Sequence, residues 1–168
     1  MSSVNARVTA IQVGTRGGTA RAPSQGVAPE PTCTANFLDE TFWQGQSGLI
    51  FNGGLSRWDI GVPAPIYGLV VASGWASGFE PTEMRITLSS PDAASFPFET
   101  IVSVNSEEGE TLGTQTLQVT GPELKTLAIP LDFSGLEPFD GGITAIGVFN
   151  TPSSRGPYIN CIDFIGGT

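Results

Sequence analysis

The chain has 168 residues and a formal net charge of −9, from 16 acidic and 7 basic residues with no histidine. This acidic excess argues against binding to nucleic acids and anionic membranes, because both are bound through basic side chains. The lack of histidine excludes Ser-His-Asp and Cys-His catalysis and the usual zinc sites. No pair of carboxylates stands out by its spacing, so the sequence predicts no enzyme and no catalytic residue.

Residues 1–32 consist mostly of Gly, Pro, Ser, Thr and Ala and contain no aromatic residue. Such a segment cannot bury enough apolar surface to become ordered by itself. We therefore predict an extended N-terminal arm that binds neighbouring protein subunits, in a homo-oligomer or a larger assembly, with strand addition by residues 8–13. Solvated arginines are the alternative for its basic residues. The predicted contact residues are Arg7, Val8, Ile11, Val13, Arg16 and Arg21.

Residues 33–168 contain all the aromatic residues and are predicted to form a single β-sandwich domain. Short runs rich in Val, Ile, Thr and Phe recur between Gly, Pro, Asn and Ser, and no apolar stripe of helical period reaches ten residues. The fold class is therefore all-β, a jelly roll or sandwich of eight to ten strands. The predicted strands are Thr34–Leu38, Gly48–Phe51, Ser56–Ile60, Ile66–Ser73, Glu83–Ser89, Phe98–Val104, Thr114–Val119, Leu124–Pro130, Ile143–Asn150 and Tyr158–Ile165.

The two cysteines lie at opposite ends of this domain, with Cys33 in the first predicted strand and Cys161 in the last. The first and last strands of a jelly roll are commonly neighbours, so the sequence predicts a disulfide between them. The alternative is a pair of buried thiols, which is usual in the cytoplasm.

Three tryptophans are candidates for stacking on a sugar or for anchoring a protein interface. Trp43 and Trp58 fall near strand ends beside polar residues, and Trp75 lies in a loop of Gly and Ser. The alternative for each ring is a place in the sandwich core, where large aromatic side chains normally lie.

The last third of the chain contains a characteristic series of strands and turns. It runs through Ile129-Pro130, Asp132-Phe133, Ile143 with Ile146-Gly147, and the final strand 158–164. This series resembles the end of galactose-binding-like β-sandwiches, including several families of carbohydrate-binding modules. The resemblance implies a fold of that type and, more loosely, sugar binding.

Many domains of that type hold a structural calcium ion with an acid in the final strand, where this chain has Asn160. The remaining candidate oxygen ligands are Asp39, Glu40 and Asp163, too few for the six to eight that calcium takes. We therefore expect no cofactor, with a weak calcium site at these three residues as the alternative.

Two functions from different classes are consistent with the sequence. The first is a structural protein of a large assembly, a virus or phage capsid decoration (cement) protein, made in the cytoplasm and displayed on the virion surface. It rests on the arm, on a polar start without a secretory signal, and on the lack of catalytic groups. The alternative is an extracellular carbohydrate-binding or adhesion module, which rests on the fold resemblance and the tryptophans.

Overall fold

The computed structural model describes residues 37–38, 40–61, 64, 66–72, 78–136, 142–149 and 157–167. Two antiparallel sheets of five strands each form a sandwich, which confirms the predicted fold class. The first sheet has the order β1-β4-β9-β6-β7, and the second has the order β2-β3-β10-β5-β8. The strands are β1 (Trp43–Gln46), β2 (Leu49–Asn52), β3 (Arg57–Ile60), β4 (Tyr67–Val71), β5 (Glu83–Ser89), β6 (Phe98–Asn105), β7 (Thr111–Val119), β8 (Lys125–Pro130), β9 (Ala145–Phe149) and β10 (Tyr158–Ile165).

The core lies between the two sheets because apolar residues alternate along the strands and point inward from both. Tyr67 and Leu69 of β4 are fully buried, as are Met84 and Ile86 of β5. One end of this core is aromatic: the ring of Phe164 lies 5.1 Å from that of Phe37, between ring centroids. Alternation of this kind leaves the intervening residues of each strand on the two outer faces of the sandwich.

Nine of the ten strands coincide with predicted ones, and β5 and β10 agree at both ends. The exception is β1, which was not predicted, since Trp43 is its only large apolar residue among Gln and Gly. The predicted strand Thr34–Leu38 is wrong at Phe37 and Leu38, which lie outside any strand, and residues 34–36 lie outside the described residues. A short 3-10 helix at Pro91–Ala94 also escaped prediction.

The chain crosses from the first sheet to the second through the two-residue turn Ser47-Gly48, where both residues have positive φ. Beside this turn, Gly45 of β1 lies against the indole of Trp58. A β-carbon added at Gly45 would lie 2.6 Å from that ring and would also collide with the carbonyl oxygen of Leu49. The close approach of β1 and β2 therefore requires glycine at this position.

We expect Gly45→Ala to lower the free energy of unfolding by about 3 kcal/mol, because neither the buried Trp58 ring nor the Leu49 backbone can move aside. Denaturant unfolding would measure this. The matched control is Gly121→Ala, since no atom lies within 4 Å of a β-carbon added there. Equal unfolding midpoints for the two variants would contradict this account of the turn.

The predicted turn at Asp132-Phe133 follows β8 directly. The Asp132 carboxylate accepts a hydrogen bond from the backbone N–H of Ser134 at 2.9 Å. Hydrogen bonds from the side chain and the backbone of Ser134 lower the pKa of Asp132. The aspartate of this motif therefore closes the turn that ends β8.

Cys161 is buried in β10 and is disulfide-bonded. The other cysteine of the sequence, Cys33, lies outside the described residues, so the pairing of Cys33 with Cys161 stays a prediction. Residues 1–32 also lie outside them. The predicted arm, its contact residues and the division of the chain at residue 33 therefore stay predictions as well. Within the part of the chain that the structure describes, no helix has the length and apolar character needed to span a membrane.

Candidate functional site

Trp43 and Trp58 were candidates for exposed stacking rings, and the structure places both in the core. They are 0% and 3% exposed, because the inward positions of β1 and β3 fall on them. The polar residues next to each tryptophan in the sequence suggested exposure, but in a strand adjacent side chains lie on opposite faces of the sheet. Trp75 lies outside the described residues, so its role stays a prediction.

Both tryptophans line a cleft of about 520 Å³ between the edge strands β1 and β2. Among the described residues that line it, Glu40 and Gln44 are the only polar side chains. The remaining walls are apolar side chains and one glycine. The cleft therefore offers fewer polar side chains than the outer face of the first sheet, and that face is the stronger candidate for a sugar site.

The outer face of the first sheet has a different character. Its side chains are the ones that alternate with the buried residues of the same strands. They are Gln44 and Gln46 of β1, Gly68 and Val70 of β4, Ala145, Gly147 and Phe149 of β9, Glu99, Ile101, Ser103 and Asn105 of β6, and Thr114, Thr116 and Gln118 of β7. Glu99 is the one charged side chain on this face within the described strands. It accepts a hydrogen bond from Gln118 at 2.5 Å.

Strand register aligns five of these residues in one row across the whole sheet. The row is Gln46, Gly68, Gly147, Ser103 and Thr114, each paired with the next. Four steps between neighbouring strands make a row about 19 Å long. This length suits an extended ligand that crosses the strands.

The centre of the row carries no side chain of its own, because Gly68 and Gly147 are direct partners on adjacent strands; Gly68 is half-buried and Gly147 is buried. We call this pair the glycine trough. The ring of Phe149 lies over one side of it, since a β-carbon added at Gly147 would be 2.5 Å from ring atoms of Phe149. The other side is open: a β-carbon added at Gly68 would meet its nearest atom at 3.7 Å. The trough therefore combines partly exposed backbone at Gly68 with the half-buried ring of Phe149, which lies over Gly147.

Neutral hydrogen-bonding groups lie on both sides of the trough. The side chains of Gln44 and Gln46 are exposed and make no hydrogen bond to any described residue. On the far side, the Ser103 hydroxyl donates to Asn105 Oδ1 at 3.4 Å, which leaves the two amide protons of Asn105 unused by described residues. Amide side chains can both donate and accept hydrogen bonds. Hydroxyl groups of a ligand can also do so, and the two groups are therefore complementary.

The predicted calcium ligands are not brought together by any described contact. Glu40 is exposed beside the cleft, Asp163 is buried in β10, and Asp39 lies outside the described residues. Asn160, at the final-strand position that often carries an acid, accepts a hydrogen bond from the Ser89 hydroxyl at 2.8 Å. Among the described residues, no group of three or more His, Cys, Asp or Glu side chains could hold a metal ion. The calcium alternative, which includes Asp39, therefore stays untested.

No protein-family model and no curated protein matches this chain. Among solved structures, it is similar to the family 11 carbohydrate-binding module from Clostridium thermocellum in complex with a β-1,3-1,4-mixed-linked tetrasaccharide. The sequence identity is 14% and the TM-score is 0.41, and the match covers 79% of this chain and 93% of the module.

Two similar structures contain much longer chains. PfGH50B is 12% identical with a TM-score of 0.49, and the match covers 71% of this chain and 21% of that one. A family 43 arabinoxylan arabinofuranohydrolase from Bacillus subtilis is 12% identical with a TM-score of 0.41, and the match covers 73% of this chain and 24% of that one. This chain thus spans less than a quarter of either protein. All three TM-scores are below 0.5, so these similarities decide neither the fold nor the function of this chain.

Proposed function

We propose that this protein is a non-catalytic carbohydrate-binding domain and that the outer face of its first sheet binds a neutral, extended glycan. The observation that carries the proposal is the central row, in which the glycine trough lies between neutral hydrogen-bonding side chains. Sugars have hydroxyl groups around their edges and apolar C–H groups on their faces. The face offers amides and hydroxyls for the edges and the Phe149 ring for the C–H groups.

The charge distribution supports a neutral ligand. An acidic protein would repel an anionic glycan, and the face has no basic side chain that could attract one within the described strands. Its single acid, Glu99, lies toward one end and is already bonded to Gln118. Affinity would therefore come from hydrogen bonds and apolar contact, and we expect it to depend little on salt.

The test places a side chain in the trough. Gly68→Glu should keep the fold, because a β-carbon there makes only ordinary contacts, the nearest at 3.7 Å. The carboxylate would fill the trough, and we expect binding to weaken more than about tenfold, or 1.4 kcal/mol. The probe is the β-1,3-1,4-mixed-linked tetrasaccharide, followed by a panel of neutral polysaccharides in affinity electrophoresis and calorimetry.

The matched control is Gly121→Glu, which makes the same substitution between β7 and β8, away from the face. It should bind like the unmodified chain. Phe149→Ala should also weaken binding through loss of the apolar contact. The proposal fails if no neutral glycan binds the unmodified chain, or if Gly68→Glu binds as well as Gly121→Glu.

The capsid decoration function has no support among the described residues. It was inferred chiefly from residues 1–32, which lie outside them, and no similar structure described above is a capsid component. The carbohydrate-binding alternative instead has a surface with matching chemistry.

A further inference from the structure

A second polar cluster lies on the outer face of the second sheet, opposite the proposed glycan face. Arg57 and Asp59 of β3 point outward there, because Trp58 between them points into the core. The Arg57 guanidinium lies over the ring of Tyr158, with Cζ 4.1 Å from the ring centroid. Its Nε donates to Asp59 Oδ1 in an ion pair. The guanidinium is therefore held from two directions.

Asn52 of β2 fixes the acid of this pair. Its Nδ2 donates to Asp59 Oδ2 at 2.8 Å, while its Oδ1 accepts from the backbone N–H of Leu55 at 3.2 Å. Both carboxylate oxygens of Asp59 are thus engaged, one by Arg57 and one by Asn52. The arginine is preorganised by three side chains, so little of its rotamer freedom remains to be lost on binding.

The far end of this guanidinium has unused donors. Its two Nη groups have no hydrogen-bond partner among the described residues, and the side chain is 24% exposed. The other basic side chains that the structure describes differ from Arg57 in their contacts and exposure. Arg85 pairs with Glu83 but is 51% exposed and lies over no described ring. Lys125 Nζ donates to the Gln118 carbonyl and to the Thr120 hydroxyl.

We propose that the Nη end of Arg57 binds a carboxylate of a polypeptide partner. Two parallel N–H groups match the two oxygens of a carboxylate, which gives a bidentate, charge-assisted pair. On the same outer face, Ile50 is paired with Asp59 across β2 and β3 and is 60% exposed. Leu55, at the tip of the same hairpin, is 59% exposed. The partner would present an acidic residue next to an apolar side chain.

The charges favour a polypeptide over an acidic polysaccharide. A chain of net charge −9 repels a polyanion along its whole length. A single carboxylate on a neutral or basic protein surface meets no such repulsion. Arginine and tyrosine are also among the residue types that contribute most to the binding energy at protein interfaces.

The test uses the full 15N-labelled chain and an acetylated leucyl-glutamate dipeptide amide, followed by NMR. The leucyl-glutamine counterpart lacks only the charge, and glucuronate offers the same carboxylate on a sugar. We expect saturable shifts of the Arg57 Nε–H and the Tyr158 amide with the glutamate dipeptide, and none with the glutamine dipeptide. Arg57→Lys should weaken binding about tenfold, since an ammonium cannot form the bidentate pair.

The control variant is Arg85→Lys, the other guanidinium on this sheet, which should leave binding unchanged. The comparison of the two dipeptides uses the unmodified chain, so it stays decisive even if Arg57→Lys fails to fold. Absence of saturable shifts, or equal binding of the glutamine dipeptide, would overturn the carboxylate site. Glucuronate binding as tightly as the glutamate dipeptide would overturn the polypeptide assignment. Neither result bears on the glycan face, which lies on the other sheet.

Discussion

Reduction of the disulfide at Cys161 is expected to lower the free energy of unfolding by about 5 kcal/mol. Cys33 is the only other cysteine in the sequence, and an intramolecular bond between the two would close a loop of more than a hundred residues. Closing so long a loop removes conformational entropy from the unfolded chain, and this removal stabilises the folded state. Denaturant unfolding with and without a thiol reductant would measure the difference.

The control for this prediction is the double variant Cys33→Ser/Cys161→Ser. It should unfold like the reduced chain, and adding reductant should change nothing further. Non-reducing electrophoresis should show a monomer that migrates faster than the reduced chain. A covalent dimer, or equal midpoints for the oxidised and reduced chains, would contradict the intramolecular pairing.

Trp58→Ala should lower the free energy of unfolding by about 4 kcal/mol, a loss typical of a large aromatic residue removed from a core. The indole is 3% exposed, and its centroid lies 5.4 Å from that of the Phe51 ring. The change would leave a cavity between the edge strands β1 and β2. Unfolding followed by circular dichroism avoids reliance on tryptophan fluorescence.

Two further variants calibrate this result. Leu55→Ala removes a side chain that is 59% exposed and should change the stability by no more than about 0.5 kcal/mol. Trp58→Phe should lose less than Trp58→Ala, because it keeps a ring and removes an indole N–H that has no acceptor among the described residues. A Trp58→Ala variant that stayed stable but no longer bound glycan would contradict the core role of Trp58. It would indicate instead that this ring stacks on the sugar.

The predicted exposure of Trp43 and Trp58 was wrong because of how their polar neighbours were interpreted. Polar residues on both sides of Trp58 suggested exposure, but in a strand the immediate neighbours occupy the opposite face. The polar side chains of Arg57 and Asp59 therefore belong to the outer face of the sheet, and Trp58 between them belongs to the core. The same alternation, applied to the final strand, could have placed the ring of Tyr158 on the outer face, but not its position next to Arg57, which depends on the pairing of β3 with β10.

The proposed glycan face could not have been predicted in the same way. Its central row takes Gln46, Gly68, Ser103, Thr114 and Gly147 from five strands far apart in the sequence. Alternation predicts which residues of each strand face outward. Only the strand order and register, set by pairing across the sheet, bring the two glycines side by side. The fold class was therefore accessible from the sequence, and the composition of this surface was not.

The two packed sheets have their outer faces on opposite sides of the sandwich, so the two proposed surfaces are separated by the thickness of the core. A polysaccharide held on one side would leave the other side unobstructed. A domain with this geometry could act as an adaptor, tethering a second protein to a sugar polymer in a ternary complex in which neither guest displaces the other.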